Sequence, residues 1–299
     1  MPSWNEILKE IGSQPNNFDL IRRQYLLKLH QKTGRNLIVY YSGWLQKGNI
    51  AQHGFRFDIN DADKMGFMSA IKGLDKDLGL DLVLHTPGGS IGATESIVTY
   101  LRSVFGTNIR AIIPQIAMSA GTMIALSCKE ILMGLHSNLG PIDPQINGVP
   151  THGIIEEFTR AKNEISKDPK TIPIWQPILA RYNPTLVGEC EKAIEWSEEI
   201  VSEWLKNGMF ESDPDKDKKV QNIITELGSH VMTKSHDRHI SLDLAKNKLG
   251  LKIIELESDK ELQDLVLSVH HSCIISLTQT PAYKVIENHM GKAFIQLAG

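Results

Sequence analysis

The sequence predicts an α/β fold built around a mainly parallel sheet. Short apolar runs, typical of strands that are buried on both faces, alternate in the central part of the chain with segments of helical period. Glycine-containing turns connect two of these runs to the helical segments that follow them. The order strand, turn, helix, strand is that of the βαβ unit, in which consecutive strands are parallel and the crossover is right-handed.

The N-terminal residues 1–34 are predicted to form helices. Apolar residues recur at helical spacing between Leu20 and Leu29, and Pro15 separates this segment from an earlier amphipathic one. Gly34 follows the second helix and is typical of a helix end. The next apolar run predicts a strand at 37–41, and the capping candidates Asn60 and Asp61 indicate a helix within 58–74.

The central residues predict a repeated strand–helix unit. Each of two apolar runs leads into a turn of small residues, after which the pattern changes from strand-like to helical. The expected elements are strands at 81–85, 109–114 and 130–134, and helices at 91–105 and 120–127.

The C-terminal half is mainly helical in pattern. Residues 154–230 are predicted to be a helical insertion, which prolines such as Pro169 and Pro184 divide. A strand at 251–256 and a helix at 263–277 follow, and we expect the last stretch, 280–297, to be a helix docked on its own domain. The patterns therefore predict N-terminal helices at 1–34, a sheet-containing domain with its insertion at 35–257, and a helical tail at 258–299.

Composition excludes several classes of function. The chain has 299 residues, a net charge of −3 and only 6% aromatic residues, which argues against a nucleic-acid-binding surface. Its three cysteines include no Cys-x-x-Cys pair, so neither a disulfide framework nor a metal site is expected, and no cofactor motif is present. We see no signal peptide and no apolar run near the roughly 20 residues that cross a bilayer, so the protein is expected to be cytoplasmic and without a membrane span.

Two turns supply the parts of a serine acyl-transfer site. In Thr86–Ser90, Gly88 and Gly89 offer backbone N–H groups without a side chain in the way, as an oxyanion hole requires. In Ala117–Thr122, Ser119 lies at a strand-to-helix corner, where the positive end of a helix dipole favours a nucleophile. The N–H of Ala120 is the second candidate oxyanion donor.

A serine nucleophile also needs a base, and spacing alone does not select one. The candidates are His236, Lys162, His136 and His85. Asp143, in a turn after the third central strand, is a candidate for orienting a histidine as the acidic member of a triad does.

Four motifs in this order resemble the serine dehydrogenase proteinase family, which has the Clp-protease/crotonase fold and is related to signal peptide peptidase A. They are the Thr-Pro-Gly-Gly loop at 86–89, the Ala-Met-Ser corner at 117–122, the Leu-Gly-Pro-Ile-Asp-Pro-Gln turn at 139–145 and the His-Asp pair at 236–237. The likeness covers about residues 35–257. It implies repeated ββα units in a mainly parallel sheet, with N- and C-terminal helices added.

The resemblance also implies roles for residues. It makes Ser119 the nucleophile and the N–H groups of Gly88 and Ala120 the oxyanion hole. In the Clp proteolytic subunit a histidine follows the nucleophile helix, but the corresponding stretch here contains Asp143 and no histidine, while Asp237 matches that subunit's acidic member. Our hypothesis is a triad with exchanged positions, in which His236 is the base and Asp143 orients it.

Other assignments remain open from the sequence. The alternative base is Lys162, because signal peptide peptidase A uses a Ser–Lys dyad; such a lysine must be desolvated to lower its pKa. The expected activity is a serine peptidase that acts on peptides or unfolded proteins as a homo-oligomer, with a possible separate unfoldase or regulatory partner. The alternatives are a non-catalytic assembly or regulatory protein of the same fold and a crotonase-type acyl-thioester enzyme.

Overall fold

The computed structural model describes residues 4–12, 18–228 and 235–298, and the architecture below refers to these ranges. The strands are β1 (Asn36–Ser42), β2 (Leu80–His85), β3 (Ile109–Ile113), β4 (Ile116–Ala117), β5 (Glu130–Met133), β6 (Asn138–Leu139), β7 (Gln145–Ile146), β8 (Val149–Pro150), β9 (Ile240–Ser241), β10 (Ile253–Glu255), β11 (Ala282–Asn288) and β12 (Ala293–Leu297). The α-helices are α1 (Trp4–Gly12), α2 (Phe18–Thr33), α3 (Trp44–Lys47), α4 (Asp61–Ile71), α5 (Ile91–Phe105), α6 (Ala120–Leu126), α7 (Thr151–Lys167), α8 (Ile172–Leu179), α9 (Leu186–Lys206), α10 (Lys216–Gly228) and α11 (Lys260–Gln279).

A seven-stranded sheet in the order β10-β5-β3-β2-β1-β11-β12 forms the centre of the molecule. The five strands from β10 to β1 are parallel, and β11 and β12 continue the sheet in the antiparallel direction. Every residue of β1 and of β2 is buried, which explains their continuous apolar sequences. The predicted α/β class with a mainly parallel sheet is confirmed.

Helices cover both faces of the sheet. One face packs against α4, α5 and α6 and against the insertion helices α9 and α10, whose Trp204 and Val220 belong to the same buried cluster. The other face packs against α2 and α11, which contribute Leu26 and Val269 among others. Each face of the sheet is therefore covered by its own layer of helices. The ends of the strands lie between these two layers and remain available to form a site.

A smaller sheet, β4-β6-β9, lies beyond the carboxyl end of β2. An isolated bridge between Thr86 and Ala117 connects it to the continuation of β2. The antiparallel pairing of β6 with β9 brings Leu139 opposite Ile240, across about a hundred residues of sequence. These pairings bring the motifs at 86–89, 117–122, 139–145 and 236–237 to one end of the main sheet.

The prediction of a wholly helical tail at 258–299 is wrong in its second half. Residues after α11 form the hairpin of β11 and β12 instead of a docked helix, and β11 pairs with β1, where Ile286 lies opposite Tyr40. The edge of β1 would otherwise expose unpaired backbone groups, and the β-branched pair Val285–Ile286 is buried on that edge. This long-range pairing overrides the local pattern.

No helix in the described ranges is both long enough and apolar enough to cross a bilayer.

Candidate active site

Ser119 lies at the corner between β4 and α6 in a strained conformation. Its φ is 49° and its ψ is −118°, a region that residues other than glycine rarely adopt and that costs about 1–3 kcal/mol. Gly121, two residues further on, has no room for a side chain, since a Cβ there would lie 2.4 Å from Thr86 Cγ2. A strained serine at a sharp strand-to-helix turn is the geometry that exposes a nucleophile at the end of a sheet.

The glycine loop packs directly against this corner. Gly88 has a φ of +103°, and a Cβ at this position would lie 2.6 Å from Ser119 Cβ and 3.2 Å from the Ala120 nitrogen. A Cβ at Gly89 would lie 2.3 Å from both the nitrogen and the oxygen of Ile59. The two glycines are therefore required by close approach on opposite sides of the loop: Gly88 lies against Ser119, and Gly89 lies against Ile59, before α4.

The amides of the loop differ in what they bind. Ile59 N–H donates to the Gly88 carbonyl at 2.7 Å, and Gly88 N–H donates to Thr86 Oγ1 at 3.2 Å. Within the described ranges, the N–H groups of Gly89 and Ala120 have no acceptor. Because the peptide bond is trans, Gly89 N–H points away from Ile59. A side chain at Gly88 would collide with Ser119, so the glycine allows the loop to lie directly against Ser119 and the Ala120 nitrogen.

The buried Asp143 is paired with the partly exposed His236. His236 Nδ1 and Asp143 Oδ1 are 2.8 Å apart, and the side chains are 18% and 0% exposed. This contact favours the tautomer in which Nδ1–H donates to the carboxylate and Nε2 carries the lone pair. Asp143 is held in place because the preceding Ile142 donates its N–H to the Leu227 carbonyl at 2.9 Å.

The serine corner and the aspartate loop are joined by one buried hydroxyl. Thr122 Oγ1 donates to the Ala117 carbonyl and accepts the N–H of Gly140, both at 2.8 Å. Thr122 is fully buried. The first turn of α6 and the segment that leads to Asp143 therefore keep a fixed separation.

Ser119, Asp143, His236, Gly88 and Gly89 line one cavity of about 550 Å³. The rest of its wall consists of Asp58, Pro87, Ser90, Ile91, Gly92, Met123, Ile142, Pro144, Gln145 and Trp196. Half of these residues belong to the motifs at 86–90 and 139–145, whereas Asp58, Met123 and Trp196 were not site candidates from the sequence. Trp196 lies on α9, within the predicted helical insertion.

The other sequence candidates lie elsewhere. Lys162 is exposed on α7 and is not part of the cavity wall, and His136 and Asp237 are also exposed. The structure thus brings Asp143, and not the family-matched Asp237, to His236. Within the described ranges, no three His, Cys, Asp or Glu side chains come together as a metal site.

His85 faces away from this cavity into the opposite layer. It is fully buried against the rings of Trp44, Tyr41 and His270, with ring centroids 4.6 to 5.3 Å away. Burial lowers the pKa of His85 to about 3. A histidine in this position is a neutral core residue at physiological pH.

Comparisons with known proteins found similar sequences and one similar structure. Two uncharacterized proteins of Methanocaldococcus jannaschii are similar: one is 32% identical over 65% of this chain, and this alignment spans 58% of the relative's length. The other is 30% identical over 80% of this chain and 76% of its own length. A structure of an asparagine-to-aspartate mutant of ClpP1 from Listeria monocytogenes aligns at 14% identity with a TM-score of 0.39, covering 79% of this chain and 99% of that one.

A family model described as ClpP-like SDH-type serine proteinase matches residues 13–268. This match covers the serine corner, the glycine loop and the paired Asp143 and His236. The chain belongs to the ClpP-like SDH-type serine proteinase family.

Proposed function

We propose that the protein is a serine peptidase that hydrolyses peptide bonds through an acyl-enzyme on Ser119. The observation that carries this proposal is the 2.8 Å contact between His236 and the buried Asp143, on a cavity whose wall also includes the strained Ser119. A nucleophile, a base and a group that orients the base are the parts of a serine triad, whatever their order in the chain.

In the proposed acylation step, Ser119 Oγ attacks the carbonyl carbon of the scissile peptide while His236 Nε2 accepts the hydroxyl proton. The buried carboxylate of Asp143 stabilises the resulting imidazolium through Nδ1–H. The imidazolium then gives its proton to the leaving amine, and the C–N bond breaks. In deacylation, His236 takes a proton from water, whose oxygen attacks the ester carbon, and Ser119 Oγ recovers the proton when the product acid leaves.

In the proposed mechanism, backbone N–H groups beside Ser119 bind the oxyanion. Gly89 and Ala120 are the stronger donors in this assignment, because each N–H lacks a protein acceptor while Gly88 N–H is engaged by Thr86 Oγ1. The role of Gly88 is then to let the loop approach Ser119 and the Ala120 nitrogen closely. Preorganised donors of this kind each contribute about 10²–10³ in kcat.

His236 is favoured over Lys162 as the base. A lysine acts as a base only when burial lowers its pKa, and the side chain of Lys162 is exposed on α7, outside the cavity wall. We further propose that the substrate is a peptide or unfolded segment and that the chain acts as a homo-oligomer. The exposed side chains of Ile172, Ile174 and Ile178 form an apolar surface on α8, which supports the proposed assembly.

The test is intact-mass analysis after treatment with a fluorophosphonate, together with peptidase assays of single variants. We expect one adduct in the wild type and none in Ser119→Ala. Peptide hydrolysis is expected to fall by about 10³-fold or more in His236→Ala and to stay near the wild-type rate in Lys162→Ala.

Two results would contradict the proposal in different ways. Full activity of His236→Ala together with loss in Lys162→Ala would replace the triad by a Ser–Lys dyad. A wild-type protein that neither forms an adduct nor cleaves a peptide library would favour a non-catalytic assembly protein of the same fold.

A further inference from the structure

A buried lysine on the C-terminal hairpin lies close to the candidate site. Lys284, on β11, is fully buried, and so is its partner Asp63 on α4. Lys284 Nζ donates to both oxygens of that carboxylate, at 2.9 and 3.1 Å, and to the main-chain carbonyl of Asp58 at 2.8 Å. Tyr40 OH also donates to Asp63, at 2.8 Å. The charges are thus paired, and all three ammonium hydrogens have acceptors.

The segment held by this lysine is the one that contacts the glycine loop. Asp63 accepts the N–H of Asn60 at 3.0 Å, so the ion pair fixes residues 58–60 from both ends. Ile59, in the middle, donates its N–H to the Gly88 carbonyl at 2.7 Å and accepts the N–H of Ser90 at 2.9 Å. The backbone of Ile59 therefore sets the orientation of the Gly88–Gly89 peptide plane.

Aromatic contacts also connect the C-terminal hairpin to the residues before Ile59. Tyr283, next to Lys284, makes edge contacts with Phe55 and Phe57, at centroid distances of 5.3 and 5.7 Å. The hairpin lies beyond residue 268, where the match to the family model ends. It nevertheless contacts residues on both sides of Ile59, the residue that bonds to the glycine loop.

We propose that Lys284 is a positioning residue for the oxyanion hole: by holding the Asp58 carbonyl and Asp63, it fixes Ile59 and, through Ile59, the direction of Gly89 N–H. This inference rests on the proposed peptidase function for its catalytic consequence. The structural part of the inference, that Lys284 keeps Ile59 and Ser90 ordered, does not depend on any activity.

The two possible roles of the Lys284–Asp63 pair, stabilising the fold and positioning residues 58–60, lead to different expected results. Removing one member of a buried pair leaves an uncompensated charge and destabilises the fold, and removing both charges restores much of the stability. The hydrogen bond from Lys284 to the Asp58 carbonyl is not restored by the second substitution. The double variant Lys284→Met/Asp63→Asn therefore separates the two roles.

The experiment compares Lys284→Met, Lys284→Gln and the double variant with Lys292→Met. Lys292 lies on the same hairpin, but its Nζ contacts the Lys72 carbonyl and not residues 58–60, which makes it a matched control. Hydrogen exchange of the Ile59 and Ser90 amides is measured by mass spectrometry, and the unfolding midpoint by heating. Turnover is measured with p-nitrophenyl butanoate and with the corresponding thionoester, whose sulfur is a weaker hydrogen-bond acceptor.

In the double variant we expect the unfolding midpoint to return towards that of the wild type. Hydrogen exchange at Ile59 and Ser90 is expected to remain at least about tenfold faster than in the wild type. The ratio of the ester rate to the thionoester rate is expected to remain at least about tenfold lower than in the wild type. Lys292→Met should match the wild type in all three measurements.

The inference would be overturned if the double variant regained wild-type exchange rates and the wild-type rate ratio along with its stability. The ion pair would then only stabilise the fold. Unchanged exchange in every variant that folds would also overturn it. If the wild-type protein neither turns over the ester nor forms an adduct at Ser119, the proposed function fails, and the exchange measurement still decides whether Lys284 orders the loop.

Discussion

At the scale of single residues, Gly88 gives the sharpest test of the space beside Ser119. A methyl group at this position would lie 2.6 Å from Ser119 Cβ, and the φ of +103° disfavours any L side chain. We expect Gly88→Ala to lower hydrolysis by about 10²-fold or more, because the methyl group would push the loop away from Ser119 and displace the proposed oxyanion donors.

The measurement is the rate of ester hydrolysis and of fluorophosphonate labelling. Gly153→Ala serves as the control, since a Cβ at Gly153 meets no atom within 4 Å. An active Gly88→Ala variant would mean that the oxyanion lies elsewhere.

His85 predicts an acid-dependent loss of stability. Its pKa is about 3 in the folded protein because of burial, against about 6.5 for an exposed histidine, so the unfolded chain binds the extra proton first as the pH falls. The stability contributed by the neutral ring is present above pH 6.5 and is lost progressively towards pH 3. From pH 6.5 to pH 5 we expect a loss of about 2 kcal/mol in the free energy of unfolding from this group.

The corresponding measurement is denaturant unfolding of the wild type and His85→Leu at both pH values. The variant should lose less stability between them, whatever its absolute stability. An identical pH dependence in the two proteins would show that His85 is not the group that titrates.

Residue-level sequence patterns were informative where the backbone geometry demanded a residue type. Gly88, Gly89 and Ser119 stood out because turns of small residues after apolar runs are local signals. The contact of Asp143 with His236 spans 93 residues and has no local signal, which is why the base remained open from the sequence. Lys284 was missed for the same reason, since 221 residues separate it from Asp63.

At the scale of elements, the site depends on the fixed spacing between α6 and the loop that carries Asp143. Replacing Thr122 with the isosteric valine leaves the buried Gly140 N–H and Ala117 carbonyl without this partner. We expect Thr122→Val to reduce stability by about 1–3 kcal/mol and to reduce hydrolysis as well.

Thr122→Ser, which keeps the hydroxyl, is the matched control, and both variants are compared by denaturant unfolding and by ester turnover. Near-wild-type behaviour of Thr122→Val would show that backbone packing alone maintains the spacing.

The strands of the parallel sheet were predictable because they are continuous apolar runs of strand length between turns. The strand expected at 81–85 corresponds to Leu80–His85, and the helix expected at 91–105 to Ile91–Phe105. The C-terminal hairpin was not predicted, because its strands depend on the distant edge of β1 and not on their own pattern. The contribution of Trp196 to the cavity likewise follows from how α9 packs.

At the scale of the whole molecule, the exposed apolar surface of α8 is where the proposed homo-oligomer can be tested. Ile172, Ile174 and Ile178 are 43%, 64% and 39% exposed, while Trp175 on the same helix is buried against the protein. Several large apolar side chains exposed together on one short helix are typical of an interaction surface. A second copy of the chain is the occupant that the proposed homo-oligomer requires.

A charged residue in this surface should weaken the assembly. We expect Ile174→Glu to lower the solution mass measured by light scattering at micromolar concentration, because a buried, unpaired carboxylate opposes association. Met65→Glu is the matched control, since Met65 is 62% exposed on α4, away from this surface. A wild-type monomer would refute the homo-oligomer. An oligomeric Ile174→Glu variant of unchanged mass would place its interface on another part of the surface and leave α8 without a role in assembly.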